Sequence, residues 1–258
     1  MPFYETVEQR LPIGLHHNGI WYDTAIVREM IAADNQAMTS AEAAQNTVKG
    51  ITKLLSQVIT GFRSSDNHEA KLDKVNVDIV RDMYIADRDM VLLALRKLSI
   101  GNEVPIKYTC GGCRTSVEFD YSLDLQECKF PETTPPNLSI PLELKRGFII
   151  TRDEIYKDVV LTYLKGRDQE SIVQMAQINP GKAALSGIYA SIKDIPGFDM
   201  SKKNPMLVDN LRSVDMDIIN KGLEESRLGP SLLADSICGT CERVTQIPLV
   251  GIMFSTMG

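Results

Sequence analysis

The sequence predicts an α+β fold in which helices are combined with two cysteine-tipped β-hairpins. Three observations lead to it. Long stretches carry apolar residues at helical spacing, two segments alternate apolar and polar residues around a tight C-x-x-C turn, and the second half brings its elements in the order of the first. With 258 residues, 43% hydrophobic and 24% charged, the chain can bury one sizeable core or two smaller ones.

At the N-terminus, Gly14, Gly19 and the apolar-rich stretch 20–27 read as a turn followed by an extended segment. Thr39 with Glu42 forms a capping-box pattern. Ala41, Ala44, Val48, Ile51, Leu55, Val58 and Ile59 then recur at helical spacing, so residues 40–60 are expected to be one helix ending at Gly61. The polar run 63–71 reads as a loop. A second helical region covers roughly 77–98, in two pieces broken near Ala86, with Asp87 as cap of the second piece and Gly101 as its left-handed stop.

From Val104 the pattern changes to strand, C-G-G-C turn and strand, with Val117, Phe119 and Tyr121 alternating with Ser116, Glu118 and Asp120. Pro131, Pro135, Pro136 and Pro141 disfavour helix and central strand. They suggest an N-terminal half at 1–130, a linker at 131–150 and a C-terminal half at 151–258. In that second half an extended stretch runs to Gly166, a helix follows at about 169–177, Asn179 and Pro180 open another, and more helix is expected at about 205–225. A strand, a C-G-T-C turn and a strand close the chain. The order reads as a weak internal duplication, in which 27–36 aligns with 161–170, setting Asp34 beside Asp168, and 75–80 aligns with 214–219.

Cys110 and Cys113 flank two glycines; Cys238 and Cys241 flank Gly239 and Thr240. Two residues between cysteines let a tight turn aim both sulfurs at one point, and the glycines are expected to supply the positive backbone torsions. Each turn has the form of a zinc knuckle with two ligands. Two knuckles and no more argue for one shared ion, one zinc per chain, in a closed structural site without room for substrate. The hairpins would then form a split zinc ribbon, because Cys238 comes 125 positions after Cys113. The alternatives are ligands completed by another chain, or a redox disulfide within each pair, although a redox C-x-x-C should open a helix. Cys128 is left over and reads as a partly buried free thiol.

Other chemistry is sparse. His16 and His17 lie in a glycine-flanked turn, where exposure or packing is a simpler reading than metal binding, and His68 sits in the polar loop. The sequence has no Walker phosphate loop, G-x-G-x-x-G, G-x-S-x-G or H-E-x-x-H motif. Its carboxylates are scattered over helix faces and caps, so no catalytic residues and no enzyme are expected. The charge, 28 Lys+Arg against 34 Asp+Glu, lacks the basic excess that draws proteins onto phosphate backbones or anionic lipid. No apolar run reaches the roughly 18 residues of a membrane span, and Glu5 and Glu8 stand where a signal peptide would need positive charge. Folding in a cytosol is the expectation.

The segments LPIGLHHNGIWY, VREM, DRDMVLLALRKLSIGNEVPIKYTCGGCRTSVEFDYSL and the terminal C-G-T-C followed by PLVGIMF together resemble the T-even-type bacteriophage baseplate hub assembly family. The resemblance runs over nearly the whole chain and is most specific over 87–123. It implies that Cys110, Cys113, Cys238 and Cys241 are the family's paired zinc cysteines. It further implies a contractile-tail baseplate component or assembly factor, made in the host cytoplasm and present in the virion tail if retained. The implied partners are other tail proteins of the hub, spike, tape measure or wedge, in several symmetry-related copies. The alternative function is a zinc-ribbon nucleic-acid-binding module. Against it, Lys107 and Arg114 are balanced by Glu103, Glu118 and Asp120, and Arg243 by Asp235 and Glu242.

Overall fold

Asn18 and Gly19, both with positive φ, make a two-residue turn between strands Thr6–His17 and Ile20–Arg28. The extended segment read after Gly19 is therefore the second arm of a hairpin whose first arm the sequence reading missed. Strand Ile59–Arg63 pairs with Ile20–Arg28, and Lys71–Leu72 completes a four-stranded antiparallel sheet in chain order, so part of the expected loop at 63–71 is strand. The computed structural model describes residues 4–151, 154–250 and 252–254. Residues 1–3, 251 and 255–258, which contribute to the N-terminal and PLVGIMF readings, and residues 152–153 lie outside them.

The expected helix at 40–60 is divided. Ser40, not Thr39, caps the short helix Ala41–Gln45 by accepting from the Ala43 N–H at 3.2 Å. Asn46 then takes an extended conformation and caps helix Thr47–Val58 by accepting from the Val48 N–H at 3.1 Å. A short amide side chain offers the backbone an alternative to the helical bond, and here that competition wins. Ile51, Leu54, Leu55 and Val58 of this helix are buried in the first core. The second helical region breaks between Asp82 and Ile85 rather than at Ala86, giving helices Val77–Asp82 and Ile85–Ser99. Gly101 stops the latter as expected, with φ +116° and its N–H on the Arg96 carbonyl at 3.1 Å.

In the second half, strands Ile140–Ile149, Ile155–Leu161 and Ile192–Asp194 form a three-stranded antiparallel sheet, followed or interrupted by helices Gly166–Ile178, Pro180–Ser191, Met206–Asp209 and Ser213–Glu225. The predicted linker at 131–150 is thus too long. Its last part is an edge strand, where Pro141 is tolerated because the missing donor is not needed on the outer side. The expected helix at 205–225 is two helices with a turn between them.

The two halves agree in detail. Each begins with a hairpin whose first strand bulges, between Arg10 and Leu15 and between Glu143 and Phe148. Each bulge contains a positive-φ glycine, Gly14 or Gly147, where a Cβ would overlap the carbonyl of Tyr22 or Tyr156. The carboxylate of Asp87 accepts from the N–H groups of Ile13 (2.7 Å) and Gly14 (3.0 Å); that of Asp215 accepts from Arg146 (3.0 Å) and Gly147 (3.1 Å). Asp34 and Asp168 each accept from the N–H three residues earlier, at 2.8 Å in both cases. Asn179 caps its helix as Asn46 does, by accepting from Lys182. This correspondence keeps Asp34 beside Asp168 but sets 214–219 against 86–91, not against 75–80.

Two cores result. The first gathers the N-terminal sheet, its helices and the first cysteine hairpin, with Leu232, Ala234, Leu249 and Met253 from the chain's end. The second lies entirely between Ile140 and Leu223. The closing hairpin therefore packs with the first half instead of with 151–258. Gly229–Pro230 pairs with Cys128–Lys129, and the Gln126 side chain donates to the Leu233 carbonyl at 2.8 Å. Between the halves, the buried Arg88 guanidinium donates to Thr52 Oγ1 (2.9 Å) and the Val80 carbonyl (3.1 Å), and Thr52 donates to Glu170 at 2.6 Å. Burial lowers Arg88 to about 10, which still leaves it a cation at neutral pH beside Glu170.

Candidate metal centre

Strands Glu103–Thr109 and Ser116–Ser122 form the first cysteine hairpin, and Leu233–Ile237 and Val244–Pro248 form the second. They are separate two-stranded sheets. The Tyr108 hydroxyl and Ser236 Oγ, 3.0 Å apart, link them side by side. Arg96 sets the first hairpin's entry by donating to the carbonyls of Gly101 (2.7 Å) and Glu103 (2.6 Å). Arg227 does the same for the second through the carbonyls of Pro230 (3.1 Å) and Ser231 (2.6 Å).

The tips are built alike. The N–H of Arg114 reaches the Cys110 carbonyl at 2.9 Å and that of Glu242 reaches Cys238 at 2.8 Å; the N–H groups of Cys110 and Cys238 bond Thr115 and Arg243 in turn. The positive torsions fall on Arg114 (φ +59°) and Glu242 (φ +58°), not on the glycines between the cysteines, which corrects the sequence expectation. Gly112 is needed for a different reason: a Cβ there would press on Cys241 Sγ and the Arg243 side chain at 3.3 Å.

All four predicted sulfurs meet. Cys110, Cys113, Cys238 and Cys241 place their Sγ atoms within 4.8 Å of one another, with Cys110 to Cys241 and Cys113 to Cys238 both 3.6 Å apart. A tetrahedral ion with metal–sulfur bonds of about 2.3 Å separates its ligands by about 3.8 Å, so the donor set fits one metal ion. Cys110 and Cys238 are fully buried, while Cys241 faces solvent. The Gly112 N–H points at Cys110 Sγ (3.4 Å), and Cys113 Sγ lies 3.2 Å from Thr115 Oγ1. Hydrogen bonds from the side chain and backbone of Thr115 favour the thiolate at Cys113 and bring it down to about 6. At Cys241 the Arg243 N–H also favours the thiolate, but the Cys113 and Cys110 sulfurs outweigh it and hold the thiol up at about 11. Four sulfurs this close cannot all be thiolates without a cation among them.

A family model described as T4 bacteriophage base plate protein matches residues 23–246, a span that includes both cysteine pairs. The chain belongs to that family. Neither a curated protein nor a solved structure matches it.

The remaining candidates lie apart from the centre of this base plate protein. His16 and His17 end the first strand, where His16 stands opposite Trp21, and His68 is in an exposed turn. Among the described residues, none of the three joins a cluster of potential metal ligands. Cys128 is half-buried, with Met90 Sδ at 3.7 Å, and burial pushes its thiol up. Sequence reasoning weighed Arg114 and Glu242 only as charges, and it missed their part in the turns and that of Thr115. The residue that follows each second cysteine was the available signal, because a turn closed by an N–H back to the first cysteine's carbonyl has to reverse there.

Proposed function

We propose that the protein is a non-catalytic component of a phage baseplate that works through protein–protein contacts, with one structural zinc held by Cys110, Cys113, Cys238 and Cys241. The family match over residues 23–246 carries this reading. The sulfur geometry supports the metal, since four thiolates form a closed set suited to zinc and offer no open position for a substrate. Bound there, zinc supplies positive charge that keeps the thiolates together; the chain's own residues align the two tips and join the closing hairpin to the first core. The matched bulges, caps and carboxylates of the two halves support descent from a duplicated unit.

A building block with its end tied to its middle favours retention in the tail over a transient assembly role at the hub. Mass spectrometry of purified virions tests this: peptides of the chain are expected in mature particles. Their presence in infected cells alone would leave an assembly factor, and salt-sensitive binding to DNA would replace the reading with the nucleic-acid module.

A further inference from the structure

The second half grips the first through one face, and among the described residues nothing covers the corresponding face of the second half. On the first half this face centres on the turn from Met83 to Ile85. The Ile85 N–H bonds the Leu164 carbonyl and the Gly166 N–H bonds the Met83 carbonyl, both at 2.9 Å. Lys165 lies over the Tyr84 ring at 5.4 Å. Glu170 meets Thr52 at 2.6 Å and Arg81 at 3.0 Å, and Gly229 lies so close to Ala86 that a Cβ would contact its carbonyl at 3.0 Å.

Matching Asp87 to Asp215 and Asn46 to Asn179 gives the same face on the second half. Arg212 stands for Tyr84, Val214 for Ala86, Leu185 for Thr52 and Asp209 for Arg81. No segment of the described chain lies there as Leu164–Gly166 lies on the first half. Instead there are two open clefts. One, about 340 Å³, is lined by Leu185, Tyr189, Val208 and Asp209 among others; the second, about 580 Å³, is lined by Ile149, Ile155 and Val214 with Lys145, Arg146, Lys157 and Arg212. Ile155 is 48% exposed and Val214 37%. Among the described residues, none of these four cations has a carboxylate within 4.0 Å, although the chain as a whole carries a net charge of −6.

Among the described residues the gripping surface has a bare counterpart as well. Ile31 corresponds to Lys165 and is 39% exposed, and Ala32 and Ala33 beside it are exposed. Gly101 corresponds to Gly229 and has no atom within 4 Å of where a Cβ would stand. The two are neighbours, because the Met30 N–H bonds Ser99 Oγ at 2.9 Å. Glu29 and the exposed Glu103 stand two positions from Ile31 and Gly101, the Glu5 N–H bonds Glu29 Oε1 at 3.1 Å, and Lys97 nearby is paired with Asp124 at 2.6 Å. The 210–214 face is thus apolar and basic, and the surface around Ile31 and Gly101 apolar and acidic.

We propose that these two surfaces bind each other between copies: the turn around Ile31 and Gly101 of one chain docks on the 210–214 face of the next, repeating the contact that joins the halves within a chain. Such an interface is heterologous, so copies join head to tail and either close into a ring or extend. The proposal rests on the correspondence of the halves and not on the tail reading, which would survive a monomeric protein.

The test is sedimentation of the metal-loaded full chain at micromolar to submillimolar concentration, with Arg212→Glu on the receiving face and Ile31→Glu on the docking surface. Both side chains reach solvent, and unchanged melting temperatures confirm folding. Association of the natural chain beyond the dimer is expected, each variant alone should be monomeric, and an equimolar mixture of the two should stop at dimers, because one intact pair of surfaces remains. A natural chain that stays monomeric, variants that associate as it does, or a mixture that assembles past the dimer would each overturn the proposal.

Discussion

Asp87 and Asp215, each the third residue of its helix, reach out of that helix to hold the bulged strand of their own half, both carboxylate oxygens accepting from consecutive backbone N–H groups. Both aspartates are fully buried. Replacing either by alanine leaves two backbone donors without that acceptor, buried at Ile13 and Gly14 and part-buried at Arg146. At about 1–3 kcal/mol for each orphaned group, Asp87→Ala or Asp215→Ala should cost about 2–6 kcal/mol, read as a lower denaturation midpoint. A loss below about 1 kcal/mol would mean that water reaches the bulge.

Burial raises Asp87 to about 7, against the opposing hydrogen bonds from Ile13 and Gly14. Its folded pKa then lies above the unfolded value of about 3.9, so the folded chain binds the extra proton between these values. The contribution is fully present below about pH 4, is lost as pH rises toward 7 and is level above. Asp87→Asn removes that titration. Its stability, relative to the natural chain, should improve from pH 4 to pH 7, and an unchanged difference across this range would refute the assignment.

Gly166 lies against the Arg88 guanidinium, where a Cβ would overlap it. Gly166→Ala should therefore destabilise the chain, although alanine is the better helix former. The second half has Met216 where the first has Arg88, and Ala32 stands where the second half has Gly166. In a double-mutant cycle, Arg88→Met should remove most of the Gly166→Ala penalty, and additive effects would contradict the steric account.

Asn46 and Asn179 cap equivalent helices, but Asn46 Nδ2 also donates to the Glu170 carbonyl at 2.9 Å. Asn179→Ala should cost about 1 kcal/mol, the ordinary loss of a cap, and Asn46→Ala clearly more. Equal losses in thermal unfolding would show that the bond to Glu170 contributes nothing.

The cysteine turns, the hairpin around the first of them and the stop at Gly101 were legible because local chemistry decides them. Helix boundaries were legible only where no side chain had a competing partner. Asn46 ended a helix that apolar spacing would have continued, and Asp87, which has the look of a cap, spends its carboxylate on Ile13 and Gly14 some seventy positions away. The Pro-rich stretch marks a connection, yet an edge strand absorbs Pro141. The similarity of the halves was visible as order; its register depended on long-range contacts such as that of Asp215 with Gly147, which no short alignment carries. That the closing hairpin joins the first core was implied by the cysteines alone, since one ion shared by Cys113 and Cys238 requires it.

The central claim is that one metal ion ties these four cysteines together. Metal analysis of the purified chain beside a cysteine-by-cysteine series tests it most directly. One zinc per chain is expected, with loss of that zinc and a large fall in Tm in Cys110→Ser and Cys238→Ser, while Cys128→Ser retains both the metal and the stability. A chain without stoichiometric metal, with four freely titrating thiols and a Tm untouched by chelator or by Cys238→Ser, would contradict it.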